Sequence, residues 1–136
     1  MVANEQRVIN QRTGAAIATK VKPATGVWGS FKGLMLQSSL AEGAGLLFRP
    51  ARGVHTHFMR FPIDLIFLDR EDRVTRVREG MVPWRWDFSH AAALIELNAG
   101  VARGHDLRVG DRLQFEPARA IDVAAADRHL ADPNRS

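Results

Sequence analysis

Short apolar blocks separated by turn-forming residues run through this chain, and few stretches keep a helical spacing for long. Val8-Ile9-Asn10 and Ala15 to Val21 flank Gln11-Arg12-Thr13-Gly14, which predicts an opening hairpin. Pro23 has no N–H to donate and closes the second strand. Between Ala24 and Leu36, Val27, Trp28, Phe31, Leu34 and Met35 recur at threes and fours. That is helix periodicity, diluted by Gly26, Gly29 and Gly33. Ser38 to Glu42 reads as a helical turn with serine capping and Gly43 behind it.

Gly45 to Phe48 is a short apolar run, followed by a loop over Arg49 to Gly53. Strands are predicted at Thr56 to Met59 and Ile63 to Leu68, broken at Pro62, with Asp69 to Asp72 turning the chain into Val74 to Val77. Pro83 to Phe88 is aromatic-rich. Ala92 to Leu97 is the next strong strand, closed by Asn98-Ala99-Gly100, and Gly110-Asp111 leads into a last one, Arg112 to Phe115. Many short strands without a βαβ rhythm predict a mostly β (β-rich α+β) protein. The expected architecture is a compact antiparallel barrel or jelly-roll-like two-sheet sandwich with one or two short helices. The expected organisation is an N-terminal tail at 1–6, a single β-rich domain at 7–116, and a C-terminal tail at 117–136 that is a weak helix or disordered.

Composition changes this picture little. With 136 residues, 46% apolar and 25% charged, the chain has the size and balance of one soluble domain. It has no cysteine, which excludes disulfides, a thiolate nucleophile and Cys-ligated metal. The polar start, Met1 to Gln11, lacks the apolar core of a signal peptide, and no apolar run is long enough to span a bilayer. The expected location is therefore the cytoplasm. A net charge of +4 and a pI near 10.6 invite a nucleic-acid partner. The arginines alternate with acids, as in Asp69-Arg70-Glu71-Asp72-Arg73, so the expectation is a mixed-sign surface that binds neither nucleic acid nor membrane.

Candidate chemistry concentrates in Gly53 to Asp69. On a strand His55, His57 and Met59 share one face and Arg60 the other. His-x-His is a spacing at which two imidazoles can chelate one ion, but no third ligand sits at a diagnostic offset, so no cofactor is assigned and His55 and His57 stay only possible metal ligands. Arg60 and Asp64 bracket Phe61-Pro62-Ile63, a bend that can return a guanidinium to a carboxylate as an ion pair or as an oriented anion-binding arginine. Glu96, inside Ala-Leu-Ile-Glu-Leu, shares a face with Leu94 and must face solvent or find a partner. Trp84, Trp86 and Phe88 share a face that suits either core packing or stacking on a ring. Asp111 reads as a structural turn residue whose side chain bonds nearby backbone amides. Nucleophile-elbow, P-loop, dinucleotide, His-Glu-x-x-His and Cys-x-x-Cys signatures are all missing, as is tyrosine.

Taken in order, these segments resemble the family catalogued as domain of unknown function 192. The matching residues are Lys32-Gly33-Leu34-Met35, Gly45 to Phe48, His55-Thr56-His57-Phe58-Met59-Arg60-Phe61-Pro62-Ile63-Asp64, Ile66 to Asp69, Ala93 to Gly100 and Val109-Gly110-Asp111. The resemblance covers about Val8 to Glu116. The chain carries the short Phe-Met-Arg-Phe-Pro-Ile-Asp version where relatives often have Phe-Trp-Met-Lys-Asn-Thr, and Leu47 where methionine is usual. The resemblance implies a β barrel or sandwich, recurrent polar positions at Arg60, Asp64, Glu96 and Asp111, and no established activity. Two functional readings follow. One is a non-enzymatic binding module with a polar pocket at His55, His57, Met59, Arg60, Asp64 and Glu96 for a small anionic ligand or partner peptide. The other is a metal-dependent, cupin-like enzyme using His55, His57 and Glu96. A purely structural domain in a larger assembly is a third.

Overall fold

The structure, a computed structural model, describes residues 5–23, 41–49, 51–55, 61–81 and 86–121, with the backbone alone at 51–55 and 86–90. The predicted opening hairpin is present. Strand β1 (Gln6–Asn10) pairs antiparallel with β2 (Ala16–Pro23) around a turn closed by Gly14 N–H to Asn10 O at 2.8 Å, with Gly14 at φ 75°. Then come β3 (Ala44–Phe48), β4 (Ala51–His55), β5 (Ile63–Leu68), β6 (Val74–Met81), β7 (Trp86–Ala91), β8 (Ala93–Asn98), a four-residue helix α1 (Val101–Gly104) and β9 (Leu113–Pro117).

Seven strands form one sheet in the order β6-β5-β8-β3-β2-β1-β9. The mostly β expectation is met, although the sheet is mixed: β2 and β3 run parallel, a pairing that hydrophobic pattern alone does not reveal. The sheet curls into a half-barrel whose first and last strands meet at one end through a bridge between Arg73 and Arg112. Val74 N–H to Asp111 O, Gly110 N–H to Val74 O and Leu113 N–H to Asp72 O close that junction. The concave side holds Val8, Ile17, Val21, Leu47, Ile66, Leu68, Ile95, Leu97 and Leu113, plugged by Ala102 of α1 and by Leu107. Gly45 lies where β3 passes β2 and β8: a Cβ there would stand 2.8 Å from Leu97 and 2.9 Å from the Glu96 carbonyl, so only glycine lets the strands approach.

The adjacent strands β5 and β8 are buried on both faces. All six residues of β5 and five of the six in β8 are inaccessible. Odd and even positions part cleanly: Ile66, Leu68, Ile95 and Leu97 enter the half-barrel, while Ile63, Leu65, Phe67 and Leu94 join Leu46, Phe61 and Met81 in a second apolar layer outside it. Beyond Phe48 and Leu94 the same two chain segments pair again, as β4 with β7 from Ala51–Ala91 to His55–Trp86. The expected loop over Arg49 to Gly53 is therefore partly strand, because its Ala-Arg-Gly-Val sequence borrows regularity from β7. The helical spacing at 24–36, the capped turn at 38–40, the strand at 56–59 and most of the C-terminal tail lie outside the described residues.

Asp111 fastens the β1–β2 turn to the start of β9. Its carboxylate accepts Asn10 Nδ2 at 2.8 Å, Arg12 Nε at 2.7 Å and the Arg108 N–H at 2.8 Å. Burial alone raises this carboxyl's pKa. The bonds from Arg12, Arg108 and Asn10 together outweigh it and hold the pKa below the ordinary aspartate value. Asp111 therefore adds stability above the unfolded aspartate pKa and loses it as pH falls through the lower folded one. Asp111→Ala leaves the fully buried Asn10 without its acceptor. It is expected to cost about 3 kcal/mol in denaturant titration at pH 7, with most of the difference gone in strong acid.

Candidate functional site

Asp64 and Glu96 lie on adjacent strands, yet the register sets them on opposite faces. Asp64 pairs with Leu97 and Leu65 with Glu96, so Asp64 shares the concave face and Glu96 the outer layer. A single pocket holding both is not formed.

Asp64 is completely buried, and its oxygens accept three backbone N–H groups: Gly80 at 2.8 Å, Gly100 at 3.1 Å and Ala102 at 3.0 Å. Gly100 is the N-cap of α1 and offers no side chain for capping, so Asp64 caps the helix from β5 and ties it to β6. Among the described residues all of its hydrogen bonds go to backbone N–H groups. The expected partner Arg60 lies outside the described residues, as do His57 and Met59.

Glu96 is 1% exposed, between Leu46 of β3 and Leu65 of β5. It is shut off from solvent, and its Oε2 has no hydrogen-bond partner among the described residues, outside which the candidate partner Arg60 lies. Burial pushes its pKa up to about 8, so the group is mainly a neutral acid near pH 7. His55 ends β4 opposite Trp86, while Glu96 sits opposite Leu46, at the other end of the twice-paired segments. Among the described residues no cluster of three or more His, Asp or Glu side chains could hold a metal ion.

A cavity of about 350 Å³ lies elsewhere, at the open seam beside β9. Leu113, Gln114 and Phe115 all line it. Successive strand residues point to opposite faces, so a hollow touching all three runs along the strand's edge. Gln6, Gln11, Arg49 and Arg112 complete its polar wall, with Glu71 and Asp72 at the β5–β6 turn. Arg49 Nη1 bonds Asp72 Oδ1 at 3.1 Å, and its guanidinium lies 5.0 Å from the centre of the Phe115 ring. Gln11 Nε2 donates to Gln114 Oε1 at 3.3 Å. Arg112 is exposed and makes no ion pair among the described residues. Sequence reasoning missed this constellation, since its members come from β1, the end of β3, the β5–β6 turn and β9, and only the strand order gathers them.

A family model described as DUF192, "Uncharacterized ACR", matches residues 8–115. A "UPF0127 protein" of Thermococcus sibiricus is 29% identical over 115 residues, covering 80% of this chain and 74% of its own. A "UPF0127 protein" of Thermococcus kodakarensis is 29% identical over 129 residues, covering 90% and 82%. The fold is similar to a crystal structure from Sinorhizobium meliloti named as a candidate transcription regulator (TM-score 0.65, 25% identity, 82% of this chain and 92% of that one). It is also similar to a protein of unknown function from Novosphingobium aromaticivorans (TM-score 0.64, 22% identity, 81% and 83%).

Proposed function

Since the chain belongs to the DUF192 family, whose description names no activity, we propose on physical grounds that it is a binding module for a small anionic ligand, seated in the groove along β9. One observation carries this reading: Arg112 lines a hollow of about 350 Å³ with its guanidinium free of any carboxylate among the described residues. Such a planar fork is the side chain best suited to carboxylate and phosphate oxygens. The amides of Gln6, Gln11 and Gln114 add donors, and the Arg49–Phe115 stack forms a floor. The proposed site thus differs from the His55–Asp64 stretch, where Asp64 accepts three backbone N–H groups.

The name of the Sinorhizobium structure belongs to that protein. The basic groups on this surface are interleaved with acids, as in Arg103–Glu79 at 3.0 Å and Arg108–Asp106 at 2.7 Å, which favours a local anion site over a nucleic-acid track. Thermal-shift titration at low ionic strength with benzoate, sulfate, inorganic phosphate and phenyl phosphate tests the proposal. At 100 times its dissociation constant a ligand stabilises by roughly 2.7 kcal/mol. At least one probe is expected to raise the Tm of the wild type and to lose that effect in Arg112→Ala. A response unchanged by Arg112→Ala, or none from any probe, refutes it.

A further inference from the structure

Arg73 and Arg112 face each other at the bridge that joins the two ends of the sheet. The flanking bonds, Val74 N–H to Asp111 O and Leu113 N–H to Asp72 O, make them a non-hydrogen-bonded antiparallel pair. In that arrangement the Cα atoms stand about 4.5 Å apart and the side chains rise on the same face at closest approach. Both arginines are exposed, and neither guanidinium has an ion-pair partner among the described residues. Three of the neighbouring carboxylates are engaged, Asp72 by Arg49, Asp69 by the N–H groups of Glu71 and Arg73, and Asp111 by Asn10, Arg12 and Arg108, while the exposed Glu71 makes no ion pair among the described residues. Like charges directly opposite on adjacent strands destabilise a sheet. The junction that closes this half-barrel therefore carries two adjacent cations, neither of them ion-paired among the described residues.

We infer that this pair is a clamp for a dianionic phosphate monoester. The inference rests on the anion-binding reading of the β9 groove and names its ligand class. A carboxylate or a phosphodiester brings one negative charge and leaves one arginine uncompensated. A monoester phosphate, whose second ionisation falls near pH 6, brings close to two charges and three terminal oxygens at pH 7.5, enough for both forks. The groove that Arg112 lines extends past the bridge to Gln6, Gln114 and Phe115, which gives the esterified body amide donors and an aromatic ring. Around the clamp the charged groups are Arg49 and Asp72, which neutralise each other, and the exposed Glu71, whose carboxylate opposes an incoming anion. Glu71→Gln is accordingly expected to tighten binding.

Calorimetric titration of phenyl phosphate and benzoate at pH 7.5 and low salt, into wild type, Arg73→Gln and Arg112→Gln, separates the two levels of the argument. Phenyl phosphate is expected to bind wild type at least tenfold more tightly than benzoate. Arg73→Gln should shrink that preference below threefold while changing benzoate binding less than threefold, and Arg112→Gln should weaken both. The Tm of ligand-free Arg73→Gln should match or exceed wild type, since the variant removes a repulsion; this guards against reading misfolding as lost binding. Equal affinity for the two probes, unchanged by Arg73→Gln yet lost in Arg112→Gln, overturns the clamp and leaves the anion site standing. If neither probe binds the wild type, both proposals fail.

Discussion

Asp64→Ala should be among the most destabilising single substitutions in this chain, lowering the unfolding free energy by on the order of 4 kcal/mol. The residue is fully buried and its carboxylate serves the N–H groups of Gly80, Gly100 and Ala102 at once. Truncation removes the acceptor and leaves three donors facing an apolar interior beside Leu97. Each stranded donor costs about 1–3 kcal/mol, reduced where the backbone shifts or water enters. Among the described residues the helix α1 has no other side-chain cap, so its first turn should open with the variant. Urea titration measures the loss, and amide exchange at Gly80, Gly100 and Ala102 should accelerate before exchange in β5 or β8 does. Asp64→Asn keeps one carbonyl oxygen but sets an NH2 against an N–H, and should fall between wild type and alanine. A loss below 1 kcal/mol for Asp64→Ala would show that the three bonds are not what holds α1 to the sheet.

Glu96 should act in the opposite sense. Its folded pKa, about 8, lies above the unfolded glutamate value of 4.5 because burial between Leu46 and Leu65 disfavours the charged form. Between these pH values the folded chain holds a proton that the unfolded chain releases, so stability declines as pH rises. The contribution is intact below the unfolded pKa and is lost on the way up through the folded one. Across pH 5 to 8 this single group should remove about 3 kcal/mol, at 1.36 kcal/mol per pH unit less the rounding at each end. Glu96→Leu should therefore be more stable than wild type at pH 8 by a similar amount, with the gap closing towards pH 5. Glu96→Gln should show the same flattening of the pH profile. Asp106 and Asp111, whose pKa values are lowered, titrate in acid and leave this window clear. Parallel pH profiles for wild type and Glu96→Leu from 5 to 8 would refute the buried-acid account.

How much of this was legible beforehand differs between elements. Ile63 to Leu68 is apolar at every position but one, and a continuous run of that length already means a strand covered on both sides. The hairpin turns at Gln11–Gly14 and Asp69–Asp72 were legible from their polar and glycine residues, which the structure uses: Asp69 Oδ1 accepts two N–H groups at 2.9 Å. Alternation also set Glu96 on the same face as Leu94. It could not show that this face is covered, because a sheet's period carries no information about what packs on it. The backbone partners of Asp64 were hidden for another reason: Arg60, the visible candidate for a partner, lies outside the described residues, and the bonds that are described go to backbone amides that any sequence possesses. The Arg73–Arg112 pair was hidden most completely, being set by the closure of a seven-stranded sheet between positions far apart along the chain.

That closure also bears on how the molecule is made. β1 is the second strand from one end of the sheet, and its outer neighbour is β9, paired from Gln6–Pro117 to Asn10–Leu113. A ribosome therefore releases the first strand long before its partner exists. Until β9 emerges, β1 presents an open edge, and the seam at Arg73 has nothing to meet. Pairings this distant along the chain raise the contact order and place folding towards the millisecond-to-second range typical of β barrels. During that interval the charge of Arg73, at the far end of the sheet, discourages an unfinished copy from adding its strand there.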